Sequence, residues 1–319
     1  MRFSVLDLAL VNRHATAAES FAGSVRLARA AEERGYERVW YAEHHGMRSI
    51  ASSATSVLIA HVAAATSTIR VGAGGIMLPN HSPLVIAEQF GTLGTLHPDR
   101  IDLGLGRAPG GDPRIVAALR RDPRASDRFP EDVRELQAYL AGESIVEGVQ
   151  SYPHTPVPLY ILGSSTYGAQ VAAAFGLPYA FASHFAPDAL EAALAIYRER
   201  FQPSEQLDRP YAIVAANTIV APSASEADEI RRDVLRSRVR HFIPALARAE
   251  DAQIDEVLAS PHAAPILTMA SKTASGTGEQ ARAWLDDFAA QTRADELMIA
   301  FQGRTTDERV RSLGLLPVP

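Results

Sequence analysis

The chain has 319 residues, 47% of them apolar, with a formal net charge of -6 at pH 7; it can bury a large core, and its length is within reach of one α/β barrel. Mild acidity argues against nucleic acid as a partner, because phosphate backbones are bound by concentrated positive charge. There is no cysteine, which excludes disulfides, cysteine zinc sites, iron–sulfur clusters and a cysteine nucleophile.

The N-terminal "MRFSVLDLALVNRH" has too short an apolar stretch for a secretory signal and reads as a first strand, "RFSVLDLAL", followed by a helix over Ala15–Arg34 that ends at Gly35. "ERVWYAEH" is the second strand, with a helix over Ser53–Ala65, and "TIRVGAGGIML" the third, with a helix from Pro83 to Leu96. "RIDLGLG" is the fourth, and helical segments follow at Pro113–Arg121 and Pro130–Leu140. "PLYILGSS", "PYAFAS", "YAIVAANTIVA" and "DELMIAF" supply four more strands, with helices at Ala169–Phe175, Pro187–Arg200, Ala224–Phe242 and Glu279–Ala290.

The strands are continuous apolar runs, as expected when both faces of a sheet are buried. Eight strands alternating with helices predict a TIM (β/α)8 barrel spanning residues 1–319 as a single domain. A doubly wound sheet is the alternative, but it would place a phosphate-binding glycine turn after the first strand, and "LDLALVNRHAT" has none. The segment Arg248–Gly278 departs from the alternation and is expected to be a long insertion or mobile loop before the last strand, a candidate lid. No run of about 18 apolar residues predicts a membrane span, so a cytoplasmic protein is expected. Lys272 is the sole lysine, and the arginine- and alanine-rich composition suggests GC-rich codons and a bacterial source.

In a barrel, chemistry gathers at the C-terminal ends of strands. Candidates there are Asp7; Glu43, His44 and His45; Gly72 to Gly75 with Asn80 and His81; Arg107; Ser164 and Ser165; and Ser183 and His184. Adjacent strand residues face opposite ways, so His44 and His45 cannot both enter one pocket, and the outward one is expected to be a hydrogen-bonded structural group. A metal site would need His81 or His184 to join them in space, and neither His-x-His nor H-E-x-x-H is present.

"DLGLGRAPGGDP" places Arg107 after a strand and before a glycine-rich loop, where backbone N–H groups and a guanidinium can cradle phosphate. "LGSSTYGAQVAAAFG" puts Ser164 and Ser165 at a helix start, which collects anions, although one of the hydroxyls could be only an N-cap. Two such elements point to a phosphorylated ligand. The four small residues from Gly72 to Gly75 signal close approach to the backbone, a bulge, or helix packing.

Taken together, "AEHHG", "VGAGGIMLPNHSPLVIAEQFGTLGTLHPDRIDLGLGRAPGGDP", "LYILGSSTYGAQVAAAFGLPYAFASHF" and "GTGEQARAWLDDF…ADELMIA" resemble the bacterial luciferase-like flavin-dependent monooxygenases, in order and over almost the whole chain. The resemblance is closest to non-luminescent, single-chain members. It implies a TIM barrel, usually a dimer, that takes reduced FMN and dioxygen through a C4a-(hydro)peroxyflavin to oxygenate a small organic substrate. It further implies reduced flavin supplied by a separate NAD(P)H-flavin reductase. By the same resemblance Arg107, Ser165 with the backbone around Gly168, and Arg128 contact the flavin phosphate, with Ser164 beside them. Gly74 and Gly75 match a cis peptide under the isoalloxazine ring. His44 lies beside the flavin with Glu43 and His45 as neighbours, His44 and Glu43 being the catalytic candidates. Gly106 stands where luminescent α chains carry a cysteine, which argues against light emission and a long-chain aldehyde. A deazaflavin-dependent hydride-transfer oxidoreductase and a non-catalytic FMN-binding protein are the alternatives.

Overall fold

The computed structural model describes residues 1–12, 15–108, 113–122, 124–143 and 145–318. In chain order the elements are β1 (Arg2–Asp7), α1 (Ala17–Glu33), β2 (Arg38–Tyr41), α2 (Thr55–Ala64), β3 (Arg70–Met77), α3 (Pro83–Leu96), β4 (Ile101–Gly106), α4 (Pro113–Ala118) and α5 (Phe129–Leu140). Then come β5 (Leu159–Gly163), α6 (Thr166–Phe175), β6 (Tyr179–Phe181), α7 (Leu190–Arg200), β7 (Ala212–Val220), α8 (Ala224–Phe242), α9 (Asp251–Leu258) and α10 (Ala264–Met269). The chain finishes with β8 (Thr273–Gly276), α11 (Gly278–Thr292), β9 (Glu296–Phe301) and α12 (Thr306–Leu315). Among the described residues no helix is long and apolar enough to cross a membrane.

All strand pairings are parallel, and β1 to β7 with β9 close into a barrel through β6–β7, β7–β9 and β9–β1 contacts. The predicted TIM barrel is therefore present. Strand alternation divides its core in two. Val5, Val39, Val71, Leu103, Ile161, Val214 and Ile299 belong to the layer beneath the helices. Leu6, Trp40, Tyr160, Ala180, Ile213, Ala215, Met298 and Ala300 fill the barrel interior. The two-sided burial is why these strands read as unbroken apolar runs.

The N-terminal end of the barrel is sealed by a charged plug. Arg38, 4% exposed, donates to Asp102 (2.7 Å), to Tyr160 (2.7 Å) and through Nε to Glu296 (2.9 Å). The Trp40 indole also donates to Asp102 (3.0 Å), and Tyr211 to Glu296 (2.7 Å). Every ion in the plug has a partner, as burial demands.

The segment 248–278 is an insertion with its own structure. It carries α9, α10 and a ninth strand, β8, which pairs with the upper part of β7 (Asn217–Val220) above the level where β6 leaves off at Val214. Val239, Ile254 and Ile266 give α8, α9 and α10 a small apolar core apart from those of the barrel. The expected helix boundaries differ mainly at α6, which begins at Thr166, and at α4, which stops at Ala118.

Candidate functional site

At the C-terminal mouth, the inward series of β2 runs Trp40, Ala42 and then His44, while Glu43 and His45 face the other way. The bonds agree: Glu43 Oε1 lies 2.6 Å from His45 Nε2 and 2.8 Å from His81 Nε2, and Oε2 accepts from the Met77 N–H at 2.9 Å. Burial by itself would raise the Glu43 carboxyl, but the His81 and His45 rings and the Met77 N–H hold it below the ordinary carboxylate value. Glu43 is thus an ionised, fully engaged anchor, and its own N–H donates to Gly75 O at 3.0 Å. His45 is the outward, hydrogen-bonded member of the pair.

His44 is different. Its Nδ1 faces the Ala42 carbonyl at 3.3 Å, which makes Nδ1 the protonated nitrogen and leaves Nε2 as the acceptor. Burial lowers its pKa, outweighing the opposing bond to Ala42. A neutral imidazole at pH 7 therefore stands on the inward face.

The floor beside it is the Gly74–Gly75 peptide, which is cis, at the point where the β3–β4 register shifts between Ala73 and Ile76. Space alone requires glycine at both positions. A Cβ on Gly74 would lie 2.8 Å from Trp40 Cβ, and one on Gly75 2.7 Å from the Gly104 carbonyl oxygen. Gly106, next along β4, would meet only Ile76 O at 3.7 Å and borders open space.

Across the mouth, the Arg107 guanidinium sits 4.0 Å from the centroid of the Tyr167 ring in the first turn of α6, a cation–π contact. Ser165 occupies the N-cap position of α6 without a side-chain cap hydrogen bond, so its hydroxyl and the first N–H groups of the helix remain available. Gly168 lets that turn approach β5, since its Cβ would touch Tyr179 at 3.3 Å and Leu162 O at 3.4 Å. Ser164 is half-buried and continues the inward series Tyr160, Leu162. Ser126 donates to Arg107 O at 3.2 Å, which brings the 3-10 turn Ala125–Arg128 alongside. The Arg128 side chain itself is 71% exposed and reaches toward Asp132 at 3.9 Å. Pro109 to Asp112 of the expected phosphate loop lie outside the described residues.

Other sequence candidates serve the scaffold. Asp7 accepts from Ser24 in α1 (2.5 Å) and from Arg309 in α12 (3.0 Å), and Ser183 donates to Ala215 O (2.5 Å). Among the described residues no group of three His, Asp or Glu side chains is arranged to hold a metal. A cleft of about 460 Å³ between α8 and α10, lined by Arg231, Leu235 and Trp284 among others, includes none of the mouth residues above. Sequence reasoning missed Tyr167, although it lies in the quoted helix start.

At the mouth of this parallel α/β barrel, the glycine floor, a neutral histidine and an arginine facing an uncapped helix start define the candidate site. Residues 1–296 match the luciferase-like monooxygenase family, and the chain belongs to that family. It is 46% identical over 319 residues to a luciferase-like monooxygenase of Escherichia coli K12, covering 97% of this chain and 93% of that protein. The solved structure of apo-MsnO8 superposes with a TM-score of 0.86 at 34% identity, covering 99% of this chain and 97% of the other. At the level of fold alone, the oxygenating constituent of 3,6-diketocamphane monooxygenase from a Pseudomonas putida plasmid, in complex with FMN, gives a TM-score of 0.72 at 15% identity. That match covers 99% of this chain and 96% of that one.

Proposed function

We propose that this protein is a flavin-dependent monooxygenase that binds reduced FMN at the barrel mouth and uses dioxygen to oxygenate a small organic molecule. The observation that carries this reading is the convergence of Arg107 with the uncapped start of α6, opposite the cis Gly74–Gly75 floor. When bound, reduced flavin supplies the two electrons with which dioxygen delivers one atom to an organic molecule and leaves the other as water.

The residues present fit that group. Arg107 and the N–H groups beside Ser165 and Gly168 would hold the phosphate, with Ser164 and the Arg128 turn at its edge. Gly74 and Gly75 leave room for a flat ring, and Gly106 leaves its edge open. Glu43 is a positioning residue: it fixes Gly75 and Met77 from one side, and His45 and His81 hold it in place. Neutral His44 can accept a proton at Nε2 and return it. Reduced flavin arrives from a separate NAD(P)H-flavin reductase, and the chain acts as a homodimer through α2 and α3, whose Val57 and Val85 are 68% and 43% exposed.

The test is anaerobic titration of the purified protein with reduced FMN and, separately, with reduced deazaflavin. Reduced FMN should bind, and its reoxidation on admitting oxygen should differ in rate from that of free flavin. Preference for the deazaflavin with no oxygen reactivity would shift the reading to hydride transfer. Binding of neither would refute it.

A further inference from the structure

β7 rises beyond the barrel rim, and its inward residues continue from Ile213 and Ala215 to Asn217 and Ile219 by strand alternation. Helix α8 lies against this overhang, with Ala227, Ile230 and Val234 packed on Ile219 and Ala221. Helical spacing brings Arg238 next on that stripe. Its Nη2 donates to Asn217 Oδ1 at 3.2 Å, and Asn217 Nδ2 donates to His184 O at 2.6 Å. The helix thus descends onto the mouth and sets a guanidinium on its β6–β7 side, next to His184, which in turn neighbours His44.

That guanidinium is half-buried and lacks what the fully buried ones have. Arg38 is paired with Asp102 and Glu296, and Arg309 with Asp7. Arg238 has no carboxylate within ion-pairing distance among the described residues, and its buried Nη1 has no hydrogen-bond partner. Burial lowers its pKa with no acidic group opposing. The Nδ1 of His184, beside it, is also buried and unbonded. Taking such a guanidinium nitrogen out of water without a partner is costly unless something anionic completes it. The phosphate-competent elements Arg107 and α6 follow β4 and β5, on a different arc of the rim, so they do not account for it.

We propose that Arg238, oriented by Asn217, is the specificity-determining anchor for a carboxylate on the organic substrate, which makes the substrate class small carboxylate-bearing molecules whose oxidisable part lies toward His44. The free Nη1 and the second Nη2 hydrogen offer the fork that a carboxylate takes in bidentate fashion. This inference rests on the monooxygenase reading for its chemistry but not for its binding.

The test compares hexanoate with hexanamide, matched in shape and differing in charge, on the full-length protein without flavin, by calorimetry and thermal melting. Hexanoate should bind saturably and raise the melting temperature, with at least tenfold preference over the amide. Arg238→Met should abolish the preference and should itself melt higher than the parent, because it removes an unpaired charge. Arg238→Gln, milder in packing, should also lose the preference. Equal binding of acid and amide would overturn the proposal. So would a preference that survives Arg238→Gln or is lost with Arg107→Ala instead. Reduced FMN binding is measured separately: hexanoate recognition without FMN binding refutes only the cofactor reading, and FMN binding without hexanoate preference refutes only this one.

Discussion

At the scale of single residues, the site separates charges that work from charges that hold. Arg107 has an aromatic face and, among the described residues, no carboxylate partner, so its charge faces a ligand. Charge-assisted hydrogen bonds contribute about 1.5–3 kcal/mol, and Arg107→Ala is therefore expected to weaken reduced FMN roughly 10- to 100-fold in a direct titration. His184 makes a prediction about pH. Burial first, then Arg238 and His44, push its pKa down to about 4. Between the ordinary histidine value near 6.5 and about 4, the unfolded chain binds a proton that the folded chain refuses. Stability should be fully present above pH 6.5 and fall as the pH drops toward 4; melting curves of His184→Asn should show a shallower acid slope. His44, also lowered by burial, should place the acid limb of a flavin-dependent rate below the ordinary histidine value. The inward–outward split of His44 and His45 was legible from strand alternation alone. That Glu43 would serve His45 and His81 rather than His44 was not, because His81 arrives from another strand's loop, at a distance of 38 residues.

Among elements, the barrel strands declared themselves because burial on both faces writes an unbroken apolar run. The four-residue β8 left no such mark: it pairs only with the overhang of β7, and its residues alternate buried and half-buried. The helices α9 and α10 are short, and their apolar residues face a local core rather than the barrel, which is why 248–278 looked irregular in the sequence. The plug beneath the barrel binds β2, β4 and β9 through Arg38. Arg38→Met would strand the Glu296 carboxylate, while Asp102 keeps Arg70. A loss of about 3–5 kcal/mol is expected when one partner of a buried pair is removed, measurable by urea unfolding. Gly75→Ala would drive a methyl group against the Gly104 carbonyl; reduced FMN affinity should fall while the far-ultraviolet dichroism of the barrel is kept.

For the whole molecule, the homodimer proposed above would cover the exposed Val57 of α2 and Val85 of α3. Val57→Arg is expected to shift the sedimentation coefficient from dimer to monomer at micromolar protein, and a parent that is already monomeric would refute that assembly. The two apolar regions carry a longer-range consequence. The half of the mouth built by β2 to β5 shares the barrel's own core, whereas α8, α9 and α10 are held together by Val239, Ile254 and Ile266. Loosening of the 248–272 helices by a truncation such as Ile254→Ala can therefore stay local, leaving the glycine floor and the α6 start standing.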